Sequence, residues 1–500
     1  MLGHWRAALA RTGQDRSRTI NTLLLVILAL GLAVRILQYS VNRSLWLDEA
    51  KLALNILSHG YAQLAGPLDD NQAAPYLFLV VEKGATALFG PSELALRLFP
   101  LLCGLSALLL CWLVVKRLFC GWHQLLPLAL VCFSSQLIYY AQEVKQYSTE
   151  AAVALALYAA FLYWGRAMHR RAGTALAMAA IGAVGMWFSF TAVFVAGAVG
   201  ATMLLDCFVA RREGCRPARL ALVLLSWAAS FAGLYVVQLR PLASSAALRA
   251  YWSNGFLHAP ADAFGLLAGF LRHCDFDGPY AWVAGLLALV GTAHLLLKRR
   301  IECLPLVLTF CGLLTSAALQ AYPFQGRTAL FAVAAACLLV CLGVSALAAG
   351  GRGPYLAALV PIVCWPALTS LTALATGPIQ REEIKPLLRL VLAQQRAGDV
   401  VYIYHRSRGP VEYYRRAWRL SSDGWRDGVD GGEDSASLAQ AAAGLAPCPR
   451  VWLLFSHTAH HEDEEQRLVE RLAPQPRKRF EAPGARLYLR EAMVRGPAAR

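Results

Sequence analysis

A chain of 500 residues that is 57% hydrophobic and only 16% charged carries more apolar surface than a water-soluble fold can bury, so its solvent must largely be lipid. The formal net charge of +16 fits a polytopic membrane protein, whose cytoplasmic loops collect Lys and Arg; no module of stacking aromatics and basic residues argues for nucleic acid as a partner. The 13 cysteines sit mostly inside apolar runs, as Cys103, Cys111, Cys337 and Cys341 do, with neither metal-site pairing nor a disulfide framework, while Cys274 and Cys448 fall in segments read as outside the membrane.

The basic N-terminus (Arg6, Arg11, Arg16, Arg18) precedes an apolar run from about Ile20 to Leu37. The run is long enough to span and lacks a small-residue cleavage site, so it reads as a retained helix leaving the cytoplasm. Residues 40–96 form a long outer loop. Within it Pro75 to Phe89 is short for a span, carries Glu82 and Lys83, and reads as a helix along the interface. Further spans are expected from Leu98 to Lys116-Arg117 and from Leu125 to Tyr139, with Gln142, Glu143 and Lys145 external, and then back to Arg166–Arg171. A hairpin through Trp187–Phe190 returns to Arg211-Arg212, and the next helix leads out to Arg240. A second outer loop covers 240–279, and later spans turn at Lys298–Arg300, at Tyr322-Pro323-Phe324 and near Arg352. The pattern amounts to about eleven transmembrane helices over residues 1–377.

Residues 378–500 change character. A helix is expected over Glu382–Gln395, strands over Val400–Tyr404, Val451–Phe455 and Ala485–Leu489, a Gly/Asp-rich loop over Gly424–Asp434, and a helix over Glu462–Leu472. This is a small α/β domain, placed outside by the helix count. His457, His460 and His461 form the one histidine cluster; they read better as a polar loop than as a metal site. No phosphate-binding glycine loop occurs in the tail.

The residues that could carry chemistry lie in the outer segments. Ser44-Leu45-Trp46-Leu47-Asp48-Glu49-Ala50 sets two adjacent carboxylates just beyond the first helix. It resembles the acidic motif of GT-C superfamily membrane glycosyltransferases, in the branch of protein O-mannosyltransferases and lipid A aminoarabinose transferases (glycosyltransferase family 39-like). Asp70-Asn71-Gln72-Ala73-Ala74-Pro75-Tyr76-Leu77, Leu88–Glu93 with Arg97, Tyr140–Tyr147 and Tyr322–Arg327 resemble later motifs of that family in the same order. The sequence departs from the family pattern at Ala73 and Ala74, where His or Pro is frequent, and at Lys145, where Arg is frequent.

The resemblance implies a polytopic α-helical GT-C fold and transfer of a sugar, with inversion, from a polyprenyl-phosphate donor to a glycan, lipid or protein acceptor at the outer face of the membrane. Such a transfer needs a carboxylate to take the acceptor's proton and cations to stabilise the leaving phosphate. Asp48 and Glu49 are candidates for the first role, with Glu49 open to pairing with a loop cation instead. Lys83, Arg97, Lys145 and Arg327 are candidates for the second, although Lys83 and Arg97 could snorkel to headgroups. Asp70, Glu143 and Tyr147 are further candidates, against a solvated turn for Asp70 and an ion pair with Lys145 for Glu143. The carboxylates allow a divalent cation (Mg or Mn, on Asp48) without requiring one. The composition is compatible with a bacterial inner membrane, with the site and tail on the periplasmic side. The competing readings are a polysaccharide polymerase or ligase, which would favour Arg and His in a late loop, and a lipid-linked sugar transporter or flippase, which would favour charges within spans and repeated halves.

Overall fold

The computed structural model describes residues 2–209, 214–348, 379–428, 435–459, 462–473 and 478–491, with isolated positions between 365 and 377. It divides into two compact units: Met1–Ser40, Gly60–Gly84 and Arg97–Pro378 form the first; Val41–His59, Ala85–Leu96 and Ile379–Arg500 form the second. The sequence reading divides the chain once, after 377. The compact units in addition group two pieces of the 40–96 loop with the tail.

The helices up to residue 209 are α1 (Leu2–Ser40), α2 (Leu47–Ser58), α3 (Tyr76–Phe89), α4 (Glu93–Leu118), α5 (Leu125–Phe133), α6 (Ser135–Tyr140), α7 (Tyr147–Trp164), α8 (Ala172–Phe188) and α9 (Ala192–Leu204). They continue as α10 (Pro217–Leu234), α11 (Arg240–Ala243), α12 (Ala246–Tyr251), α13 (Asp262–His273), α14 (Pro279–Leu297), α15 (Leu304–Ala318) and α16 (Val333–Ala348). Among the described residues six helices are long and apolar enough to cross a membrane: Ser17–Ser40, Glu93–Leu118, Pro217–Ala243, Pro279–Leu297, Ile301–Ala318 and Gly326–Ala348. Gly121–Phe133, Ala172–Phe188 and Ala192–Phe208 are apolar but shorter. The eleventh expected span falls largely outside the described residues.

The structure departs from the sequence reading at several places. The helix expected from Leu125 to Tyr139 breaks at Ser134, whose extended backbone (φ −60°, ψ 123°) caps α6. The loop at 240–279 holds three helices rather than irregular chain. Cys207 and Cys215 are joined by a disulfide, Cα–Cα 5.7 Å, where no bridge was expected.

Small residues let helices of the first unit approach closely, as lipid-solvated packing favours. Gly291 on α14 faces the Leu339 carbonyl, and Gly343 on α16 faces the Leu287 carbonyl, so neither position has room for a Cβ. On α8, Gly182 makes space for the Trp227 indole, whose Nε1 donates to the Met178 carbonyl at 3.1 Å.

In the second unit the tail folds as α17 (Ile384–Gln394), β1 (Val400–Ile403), α18 (Arg408–Trp418), β2 (Trp425–Asp427), α19 (Ser435–Leu445), β3 (Arg450–Ser456), α20 (Glu462–Leu472), β4 (Lys478–Ala482) and β5 (Ala485–Glu491). The sheet order is β2-β1-β3-β5-β4. β1 is parallel to β2 and β3, while β5 runs antiparallel to β3 and β4. Every residue of the central β3 is buried, as expected of a strand covered on both faces. The Gly/Asp-rich stretch contains β2, contrary to the expectation of a loop over Gly424–Asp434; residues 429–434 lie outside the described residues.

Candidate active site

The acidic motif is the start of a helix, not a loop. Apolar Leu52, Ala53 and Ile56 repeat at helical spacing and are fully buried, so α2 forms from Leu47 onward and lies against α18. Both carboxylates fall in its first turn, where the helix dipole favours negative charge. Glu49 is 0% exposed. Its Oε2 accepts from the Trp46 backbone N–H at 3.5 Å, and its Oε1 lies 4.0 Å from the buried Arg43 guanidinium. Asp48 is half-buried.

The backbone leading into Asp48 is held by side chains. The Ser44 N–H donates to Glu383 (3.1 Å to Oε2), Leu45 N–H to the Tyr414 hydroxyl (3.0 Å), Trp46 N–H to Glu49, and Leu47 N–H to Glu382 Oε2 (3.3 Å). Glu382 Oε1 also lies 2.7 Å from His457 Nδ1. The Trp46 indole is covered by the Arg381 guanidinium, 3.6 Å from the ring centroid, and stacks near His457 at 6.3 Å. Lys385 Nζ donates to the Asn42 carbonyl (2.6 Å) and to Glu93 Oε1 (2.7 Å), and Glu93 Oε1 also accepts from Tyr414. His457 therefore belongs to this framework; His460 and His461 lie outside the described residues.

The cation candidates belong to the first unit. The turn Tyr140–Tyr147, expected on the outer side from the helix count, is buried at every residue. Glu143 is 0% and Lys145 5% exposed. Burying such groups is costly unless each is met by a partner; Lys145 Nζ donates to Gln72 Oε1 at 2.6 Å. Gln72 lines a small pocket with Ala73, Ala74 and Gln238. Gln238 holds that loop, accepting from Tyr76 N–H at 2.9 Å and donating to the Ala74 carbonyl at 3.4 Å. Arg327, in a 3-10 turn that leads into α16, lies over the rings of Tyr147 (6.0 Å) and Trp252 (5.5 Å). Lys145, Tyr147 and Arg327 thus share one neighbourhood through Tyr147. Lys83 lies 5.7 Å from the Tyr61 ring centroid, and Arg97 is 2% exposed. Asp70 is exposed in a left-handed turn with φ 56°, the geometry of a solvated turn residue.

One further carboxyl stands in this unit. Glu82 on α3 is fully buried, and among the described residues neither of its oxygens has a hydrogen-bond partner. Burial pushes its pKa well above the usual carboxylate range.

Residues 73–237 match the model of a family described as dolichyl-phosphate-mannose-protein mannosyltransferase. The resemblance to GT-C membrane glycosyltransferases stands. The oligosaccharyltransferase of Archaeoglobus fulgidus in its apo form aligns over 89% of this chain and 70% of its own, at 10% identity and a TM-score of 0.53. The archaeal oligosaccharyltransferase AglB from Archaeoglobus fulgidus, in complex with an inhibitory peptide and a dolichol-phosphate, aligns over 96% and 75%, at 10% identity and 0.51. At such identity the likeness is one of fold. ArnT of Cupriavidus metallidurans bound to undecaprenyl phosphate aligns over 95% and 99%, at 14% identity, with a TM-score of 0.40 that is too low to argue from. A comparison with curated proteins gave no match.

The GT-C resemblance directs attention to Asp48 and the buried turn, but not to Glu382, Glu383, Lys385 or Tyr414, which sequence reasoning passed over. The available signal was the acidic pair Glu382-Glu383 at the opening of the tail. A divalent ion has a poor ligand set here, since Glu49 is engaged with Arg43 and Trp46. Among the described residues no group of three His, Cys, Asp or Glu side chains gathers as metal ligands would. No step is assigned to a metal.

Proposed function

We propose that this chain moves a sugar from a polyprenyl-phosphate donor to a glycan, lipid or protein acceptor at the outer face of a bacterial inner membrane. The observation that carries the reading is the family match over residues 73–237, because it spans the buried turn with Glu143, Lys145 and Tyr147. A turn that buries so many polar groups serves binding better than stability. The fold shared with an oligosaccharyltransferase captured with a dolichol-phosphate supports a lipid-phosphate ligand.

In this reading Asp48 accepts the acceptor hydroxyl's proton as its oxygen attacks the anomeric carbon. The bond from that carbon to the phosphate oxygen breaks with inversion, and the polyprenyl phosphate leaves with the electron pair. Lys145 and Arg327 stabilise the phosphate, with Lys83 and Arg97 as further cations. Glu49 fixes the helix start rather than sharing the proton. Eleven spans and a periplasmic tail complete the proposed topology.

The test is transfer from a panel of polyprenyl-phosphate sugars in liposomes, comparing the wild type with Asp48→Asn. Turnover by the wild type and its loss in the variant is the expected result. Unaltered transfer by the variant removes Asp48 as the base, and no turnover with any donor favours a transporter.

A further inference from the structure

The amides of residues 44, 45, 46 and 47 each donate to a side chain, and three of the four acceptors, Glu383, Tyr414 and Glu382, come from the tail. Residues 44–46 precede α2 and Leu47 opens it, so none of these amides has an intrahelical acceptor, and each that is buried needs a partner outside the helix ladder. Here that role falls on residues more than 300 positions away in sequence, the separations being 339, 369 and 335. Asp48 follows directly on this held stretch.

The acceptors are themselves fixed. Glu383 Oε2 also takes the Ser44 hydroxyl at 2.9 Å, and that hydroxyl accepts from the Lys385 backbone N–H at 3.0 Å. The Tyr414 hydroxyl donates to Glu93 Oε1, which Lys385 also binds. Glu382 is held by His457. Glu382, Glu383 and Lys385 are all buried. Charges buried in so dense a lattice define one geometry, because any shift leaves a charge unpaired.

We propose that Glu382, Glu383 and Tyr414 of the tail are positioning residues that fix the Asp48 carboxylate for proton transfer through the amides of residues 44–47. The proposal rests on the reading of Asp48 as the base. It gives the α/β fold a direct part in turnover.

The experiment measures transfer by the full-length protein in liposomes, per folded molecule, for Tyr414→Phe, Glu382→Ala, Glu383→Ala and the conservative Glu382→Gln and Glu383→Gln. Arg486→Gln, which breaks the tail's own pair with Glu465, is the control for a structural loss. Misplacing a catalytic group by an ångström costs on the order of a hundredfold. The Ala variants and Tyr414→Phe are therefore expected to lose kcat by tenfold to about a hundredfold, with the donor KM within about twofold of the wild type. The Gln variants, which keep an acceptor oxygen, should recover most of the loss. Arg486→Gln should lower stability but leave kcat per folded molecule unchanged. Retained kcat in the Ala variants and Tyr414→Phe, a rise confined to KM, or an equal kcat loss in Arg486→Gln overturns the proposal. Asp48→Asn in the same assay separates the two readings: if it turns over normally, the base assignment has failed whatever the tail variants do.

Discussion

Asp48 and Glu49 are adjacent in the first turn of one helix, yet Glu49 is fully buried and turned back on Trp46 and Arg43 while Asp48 is only half-buried. In the proposed reading Glu49 holds the helix start and Asp48 carries the chemistry. Removing one member of a buried ion pair costs about 3–5 kcal/mol, because the other charge is left without compensation. Glu49→Ala is expected to lose folded protein, read by thermal unfolding in detergent. Asp48→Asn is expected to keep the wild-type melting temperature and lose turnover. The reverse pattern would make Glu49 the chemical residue and Asp48 the structural one.

Lys145 offers a sharper test of the cation assignments, because its buried ammonium already has a named partner in Gln72. Lys145→Met should raise the donor KM more than it lowers kcat, since an ammonium that binds the phosphate before reaction acts in the ground state as well. Lys145→Arg, which keeps the charge, should restore part of the affinity. Donor titrations in liposomes decide it. An unchanged KM in Lys145→Met would leave Lys145 as a structural partner of the 70–76 loop.

Much of this was legible in the sequence, and the failures share a cause. The helix at Glu462–Leu472 was read to the residue because its apolar positions repeat at helical spacing, and the strands at 400, 451 and 485 because they are apolar runs bounded by turns. β4 was missed because Lys478, Arg479 and Glu481 make it a charged edge strand with no apolar alternation to see. α18 was missed because its three arginines mask a buried face of Val411 and Tyr414. The turn at 140–147 was placed on the outer side by the helix count, which carries no information on burial; only tertiary structure shows Lys145 meeting Gln72, 73 positions away. The same holds for the tail residues that bind residues 44–47. Local pattern carries no record of contacts over 300 residues.

A pH effect is expected in the 240–279 segment. Asp275 there accepts from the Ser135 backbone N–H at 2.9 Å and from the Ser135 hydroxyl, tying α13 to the start of α6. The neighbouring His273 lies 6.5 Å from the Tyr140 ring centroid, and burial lowers its pKa from 6.5 to about 4. The unfolded chain then binds a proton that the folded one refuses. The stability from neutral His273 is complete above pH 6.5 and is lost as pH falls towards 4, by up to a few kcal/mol. His273→Gln should flatten the melting temperature over that window, measured against pH in detergent. An unchanged slope would assign acid sensitivity to other groups.

The contact of α14 with α16 sets the last expectation. Gly291 and Gly343 sit against each other's helix backbone, so a side chain at either position meets main chain rather than a movable neighbour. Gly343→Leu should therefore force the helices apart and cost about 1–3 kcal/mol or more, as overpacking does. Gly197 on α9 is the matched control, since a Cβ there would meet nothing within 4 Å. Ala at that position should leave stability unchanged or raise it, because Ala is the better helix former. Thermal unfolding of both variants in one detergent reads the difference. Equal melting temperatures would mean that the two helices part without cost, and that small-residue contact does not hold this pair.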